Sequence, residues 1–175
     1  ACRIAPFAFF SFFHDAKPTD SYFKSPYFLQ VSHLQSQREA IMGVVARAPT
    51  LRHLRRLKVG FGGVASAEMK ALADSPHITR LEELTLNCCF IGFHGFKPLC
   101  EAENLGHLTR LELRSNQIAN GAMKHFAMAP WTRSLQYLDL SENPITGKGV
   151  EALNDLDLSQ LEELWLQGNR IGSRG

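Results

Sequence analysis

The stretch LEELTLNCCFI, residues 81–91, carries a leucine pattern that recurs along the chain at a nearly constant distance. Copies begin at Leu54, Leu81, Leu108, Leu135 and Leu161, and only the last interval is shorter than the others, by a single position. They follow the pattern L-x-x-L-x-L-x-x-N/C-x-L, with Gly62 at the N/C position of the first copy. A fixed repeat of this length is typical of a solenoid, in which each coil packs on the next.

Two periodicities within one repeat predict a strand followed by a helix. Leu84 and Leu86 alternate with polar residues, which is typical of a short strand with its leucines facing the core. In the first four repeats, a second apolar position follows the first leucine at a constant distance, and we expect a helix there. The residues at this position are Leu72, Leu99, Phe126 and Leu153. Neither half can bury its apolar side alone. We therefore predict an α/β solenoid with parallel strands on the concave face and helices on the convex face.

The adjacent cysteines Cys88 and Cys89 are interpreted through the repeat. Cys89 is at the ninth position of its copy, where later copies have Asn116, Asn143 and Asn169. An inward Asn there can hydrogen-bond backbone groups of adjacent coils, which would otherwise cost about 1–3 kcal/mol each. We predict that Cys89 is structural and that Cys88 is a plain, more exposed thiol. Four cysteines are too few for a disulfide scaffold, and they indicate a reducing, cytoplasmic environment.

Residues 54–175 resemble leucine-rich-repeat proteins of the ribonuclease-inhibitor-like type. The pattern L-x-x-L-x-L-x-x-N-x-I-G-x-x-G-x-x-x-L is matched most closely by LSENPITGKGVEAL (140–153) and LQGNRIGSRG (166–175). The segment ALADSP (71–76) followed by LEELTL is similar to repeats in long bacterial leucine-rich-repeat proteins. The resemblance implies a right-handed, curved solenoid that serves as a protein-binding scaffold, without naming a partner.

The repeats divide the chain into three parts. Residues 1–28 form a Phe-rich N-terminal tail, and we leave open whether it is a secretion signal, packs on the first repeat, is disordered or is non-native. Residues 29–53, with SHLQSQREAIMGVVARAPTL (32–51), are predicted to be a helical, degenerate capping repeat. Residues 54–175 hold five leucine-rich repeats. The last one stops before its helix, so we expect this chain to be a fragment of a protein that continues past Gly175, with an uncapped apolar end that favours self-association.

Several kinds of chemistry find no support in the sequence. The net charge is +2, and the basic run RHLRRLK (52–58) is interpreted as a solvated surface rather than a nucleic-acid site. The seven histidines lack the paired spacing of a metal site. No nucleophile elbow or phosphate-binding loop is present, so we expect neither a cofactor nor catalysis. The Phe-rich stretch at residues 4–13 is too short to span a bilayer, and no membrane partner is expected.

A non-catalytic protein–protein interaction scaffold is therefore the expected function. Trp and Tyr often dominate the energy of interfaces, and two of them fall on outward strand positions of neighbouring repeats. The predicted partner-binding residues are Trp165, Tyr137, Asp139, Glu163, Glu112 and Arg114, and Ser141 is also expected to face outward. Two alternatives remain: the aromatic pair only covers the sheet, or the array is a structural spacer or multimerising segment of a longer protein whose activity lies in another domain.

Overall fold

Seven parallel strands form one sheet in which every strand pairs with its neighbours in the sequence. The computed structural model describes residues 8–12, 22–36, 41–60 and 62–172, and the sheet order within them is β1-β2-β3-β4-β5-β6-β7. The strands are β1 Ala8–Phe12, β2 Val31–Ser36, β3 Arg56–Gly60, β4 Glu83–Asn87, β5 Arg110–Glu112, β6 Tyr137–Asp139 and β7 Glu163–Trp165.

Helical segments lie between consecutive strands, and from β2 onward each connection contains an α-helix. The α-helices are α1 Ile41–Ala46, α2 Ser66–Ala73, α3 Gly92–Cys100, α4 Asn120–Phe126 and α5 Gly147–Glu151. The 3-10 turns are Tyr22–Lys24, Pro26–Gln30, Pro49–Leu51, Thr132–Ser134 and Ala152–Asp155. A helix is about 10 Å wide whereas neighbouring strands lie about 4.8 Å apart, so a stack of such coils bends with the sheet on the inside.

The core follows the repeat. Leu57, Leu84, Leu111 and Leu138 are aligned across β3 to β6 and are fully or almost fully buried. The four helix positions Leu72, Leu99, Phe126 and Leu153 are buried as well. Since the helices α2, α3, α4 and α5 also pack in sequence order, the predicted α/β solenoid with parallel strands on one face and helices on the other is confirmed.

The helix predicted within residues 29–53 is wrong at residues 31–36. Val31–Ser36 is strand β2, in which Leu34 pairs with Leu57 of β3. Leu34 and Ser36 are buried, whereas the alternating residues His33 and Gln35 are half-buried on the other face, as the twofold period of a strand requires. Among the described residues of this range, 29–36 and 41–53, the only α-helix is Ile41–Ala46. The prediction missed this strand because Leu34 is closer to Leu57 in the sequence than the regular repeat requires.

Part of the Phe-rich segment also joins the solenoid. Ala8–Phe12 forms β1 and pairs with β2, so the sheet extends two strands upstream of the five predicted repeats. Phe23 and Phe28 are buried and meet edge to face, with ring centroids 5.0 Å apart. The remainder of the predicted tail, residues 1–7 and 13–21, lies outside the described residues.

Candidate functional site

Three asparagines, which we call the asparagine column, support the turns that follow β5, β6 and β7: Asn116, Asn143 and Asn169. Asn143 Oδ1 accepts hydrogen bonds from the main-chain N–H groups of Asn116 and Ile118, both at 3.0 Å. Asn143 Nδ2 donates to the carbonyl oxygens of Leu113, Leu140 and Ser141, each at 3.0 Å. The predicted inward-facing amide is confirmed, and it holds consecutive strands at a constant spacing.

Cys89 occupies the equivalent place one repeat before Asn116. It is fully buried, its N–H donates to Asn116 Oδ1 at 2.9 Å, and its Sγ lies 3.5 Å from the carbonyl oxygen of Val59. Its structural role is thereby confirmed. Cys88 is half-buried with a left-handed φ of 57°, and neither cysteine forms a disulfide with another residue of the described ranges. Burial, and secondarily the charge of Glu101, raises the pKa of the third described thiol, Cys100, far above its ordinary value.

The outward side chains of β2 to β7 form two rows, which together we call the strand face. The sheet register aligns the first row in the order His33, Arg56, Glu83, Arg110, Tyr137 and Glu163. It aligns the second row in the order Gln35, Lys58, Thr85, Glu112, Asp139 and Trp165. Residues that neighbour each other in a row are about 4.8 Å apart along the sheet.

Contacts between side chains neutralise the middle of the strand face. Arg56 Nε lies 2.9 Å from Glu83 Oε1, and Arg110 Nε lies 2.8 Å from Glu112 Oε1. The guanidinium carbon of Arg110 also lies 3.4 Å from the ring centroid of Tyr137, a cation–π arrangement. Arg110 therefore joins a carboxylate on its own strand to an aromatic ring on the next.

Two of the predicted partner-binding residues are engaged within the fold. Glu112 pairs with Arg110 and also accepts from Asn87 Nδ2 at 3.2 Å. Arg114 NH2 lies 2.5 Å from Glu142 Oε1. A partner that binds either residue through its charge has to compete with a contact that already exists.

Tyr137 and Trp165 lie on neighbouring strands but diagonally. Tyr137 aligns with Glu163, and Asp139 aligns with Trp165. Trp165 is 42% exposed and its Nε1 donates to Glu163 Oε2 at 3.1 Å, whereas Tyr137 is half-buried against Arg110. The four predicted residues Trp165, Tyr137, Asp139 and Glu163 thus lie on two adjacent strands, with their aromatic rings engaged by other side chains rather than by each other.

Ser141 does not face outward as expected. It is fully buried, and its N–H donates to Asp139 Oδ1 at 2.8 Å. Strand β6 ends at Asp139, so the chain has already turned at Ser141 and the alternation of a strand no longer applies.

A cleft at the other end of the strand face was not predicted. It has a volume of about 220 Å³, and its polar lining comprises His33, Gln35, Arg56, Lys58, Glu83, Thr85 and Glu112. Burial, and secondarily the charge of Arg56, lowers the pKa of His33, which favours its neutral form. Lys58 is exposed and forms no ion pair with any residue in the described ranges. The signal for this cleft was the alternation in Val31–Ser36, which places His33 and Gln35 beside β3.

The described ranges contain no cluster of three or more metal-binding side chains. Within the same ranges, no helix is both long and apolar enough to cross a bilayer.

Comparison with known families identifies the repeat. The family model described as Leucine Rich repeat matches residues 106–127, which include β5 and α4, and residues 133–153, which include β6 and α5. No curated protein matches the chain. Leucine-rich repeats generally mediate protein–protein interaction. The two matched segments are leucine-rich repeats, and the chain that contains them folds as an α/β leucine-rich-repeat solenoid.

Proposed function

We propose that this chain is a non-catalytic scaffold that binds a protein partner on the strand face. The observation that carries the proposal is the exposure of Trp165 beside Tyr137 on a sheet whose interior leucines are buried from β3 to β6. Large aromatic side chains contribute most to binding when they are held in place before the partner arrives, because less conformational entropy is then lost. Arg110 holds Tyr137, and Glu163 holds Trp165, in this way.

Asp139 and Glu163 set the chemistry around the two rings. Both are carboxylates on the same pair of strands, so this end of the strand face suits an apolar or basic surface. Cys88, Cys89 and Cys100 form no disulfide within the described residues, which agrees with a reducing compartment such as the cytoplasm. The spacing of isoleucine and glycine in residues 140–153 and 166–175 supports the ribonuclease-inhibitor-like type for these repeats.

A structural or multimerising array is the second candidate function. Leu164 is 40% exposed on β7, which lies at one edge of the described sheet. An exposed edge strand with an apolar side chain favours association between copies. Light scattering over a range of protein concentrations measures this directly, and replacement of Leu164 by Lys is expected to abolish association that occurs through that edge.

Alanine substitution tests the binding proposal. Partners selected by the full chain from a displayed peptide or protein library are expected to bind Trp165→Ala or Tyr137→Ala more weakly by about 2 kcal/mol, roughly 30-fold, with the melting temperature nearly unchanged. Phe90→Ala is the matched control because Phe90 is 64% exposed and lies outside the strand rows. Equal loss in all three variants, or a fall in stability with intact binding, would exclude the proposed site.

A further inference from the structure

The ion pairs of the strand face leave opposite charges at its two ends. Arg56 is matched by Glu83 and Arg110 by Glu112 in the middle strands. Lys58 on β3 forms no ion pair in the described part of the chain, nor do Asp139 on β6 and Glu163 on β7. The unbalanced charge is thus positive at the cleft and negative beside Trp165.

We infer that the strand face takes an extended peptide segment that carries an acidic side chain and, about four to six residues away, a basic one. This inference rests on the proposed function and specifies the partner. Lys58 and Asp139 are three strand spacings apart, about 14 Å, and Lys58 and Glu163 are four, about 19 Å. An extended chain rises about 3.3 Å per residue, so these distances correspond to about four to six residues.

The cleft suits the acidic side chain of the peptide. Lys58 supplies an uncompensated ammonium there, and Gln35 and Thr85 supply neutral hydrogen-bond donors in the same lining. The two carboxylates of the cleft are already engaged, Glu83 by Arg56 and Glu112 by Arg110 and Asn87. A carboxylate entering the cleft therefore meets a net positive charge.

The opposite end suits the basic side chain. Asp139 and Glu163 lie next to the exposed indole of Trp165, so a guanidinium or ammonium group meets both carboxylate oxygens and an aromatic face. Cations are attracted to aromatic faces, and the attraction grows as the cation is desolvated. Both attractions act on the same group of the peptide.

The charge arrangement favours a peptide over nucleic acid. A phosphate backbone carries one charge per nucleotide and binds through several cations at once. On the strand face, Arg56 and Arg110 are occupied by carboxylates, and Asp139 and Glu163 would repel a strand that continued past Lys58.

A charge-reversal selection tests the inference. A random peptide library is selected on the full chain in its wild-type form, as Lys58→Glu, as Glu163→Lys, and as Lys148→Glu. Lys148 is an exposed lysine on α5 and provides the control. We expect wild-type and Lys148→Glu proteins to select peptides with an acid and a base at the inferred separation. Lys58→Glu should replace the acid by a base, and Glu163→Lys should weaken the preference for the base.

The outcomes separate the inference from the proposed function. Peptides selected on the wild-type protein should bind Lys58→Glu at least about tenfold more weakly than they bind the wild type. This difference in affinity should shrink as the salt concentration increases. If the selected peptides depend on Trp165 but their charge preference is the same for the wild-type protein and Lys58→Glu, the inference is wrong and the proposed function still stands. If no selected peptide depends on any strand-face residue, both are wrong. A single-stranded oligonucleotide that binds more tightly than the peptides and is lost in Lys58→Glu would also overturn the inference.

Discussion

Asn143 Oδ1 accepts the main-chain N–H of Asn116 at 3.0 Å, so this asparagine holds the one that precedes it in the column. Asn116 in turn accepts the N–H of Cys89 at 2.9 Å. These bonds run from coil to coil rather than within a coil. They satisfy buried backbone groups one repeat apart, and the stability of the solenoid should therefore depend strongly on this column.

Replacement of Asn143 by Ala should destabilise the fold substantially. The change leaves the N–H groups of Asn116 and Ile118 and the carbonyl oxygen of Leu113 without this partner, whereas the carbonyl oxygens of Leu140 and Ser141 keep Asn169 Nδ2 and the Ser115 N–H. Each unpaired buried group costs about 1–3 kcal/mol, so we expect a total loss above about 3 kcal/mol. Urea denaturation measures the loss, and Gln136→Ala, at an exposed position, is the control. A change of less than about 1 kcal/mol would contradict the role of the column.

The thiols should differ in their reactivity. In a Cys2→Ser background we expect the folded protein to react at Cys88 first, because Cys89 and Cys100 are 0% and 2% exposed. The raised pKa of Cys100 also leaves little thiolate to react at neutral pH. Labelling followed by peptide mass spectrometry should find Cys89 and Cys100 modified only under denaturing conditions. Rapid modification of Cys100 in the native protein would show that its surroundings open.

The pKa of Glu142 should respond to Arg114. The Arg114 guanidinium, followed by the Ser115 hydroxyl, holds this pKa below its ordinary value. Because the folded pKa is the lower one, the interaction stabilises the protein above the unfolded pKa and is lost as the pH falls through the folded pKa. Carboxylate titration by NMR should show this pKa rising towards its ordinary value in Arg114→Gln. Lys124→Gln should leave it unchanged.

Two helix glycines should respond oppositely to alanine. A Cβ on Gly149 would lie 2.6 Å from Asn120 Oδ1 and 2.7 Å from Ile145 Cγ2, so Gly149→Ala should disturb the contact between α4 and α5 and lower stability. A Cβ on Gly121 would meet only the Phe93 ring at 3.9 Å. Gly121→Ala should therefore gain about 0.5–1 kcal/mol from helix propensity. Thermal unfolding measures both variants, and equal effects would refute the close packing at Gly149.

Regular spacing made five of the strands predictable, and irregular spacing hid the others. Strands β3 to β7 each contain a leucine at a nearly constant sequence distance from the next, and all of these leucines align in the sheet. Leu34 of β2 has the same structural role at a shorter distance from Leu57. A deletion of a few residues in a loop leaves strand pairing intact, because the backbone hydrogen bonds do not depend on the length of the connection.

The candidate site was predictable by position but not by contact. The alternation of each strand placed Trp165, Tyr137, Asp139 and Glu163 outward, and the register brings them together on β6 and β7. The same alternation also predicted that Ser141 faces outward, and this was wrong because the strand has ended before Ser141 and this residue is buried. Where a strand ends is set by the turn and its asparagine, so the side-chain pattern alone did not show it.

The sequence by itself determined the repeat, the buried leucine positions and the asparagine column, because each is a local pattern imposed by strand and helix geometry. Only the tertiary structure decided which charges are neutralised. Arg110 has Glu83, Glu112 and Tyr137 as neighbours on the sheet, and it engages Glu112 and Tyr137 while Glu83 pairs with Arg56. Which partner a long charged side chain contacts depends on its length, its rotamer and the residues on the neighbouring strands, which come from other repeats. A local sequence pattern therefore does not show that Lys58 remains unpaired within the described part of the chain.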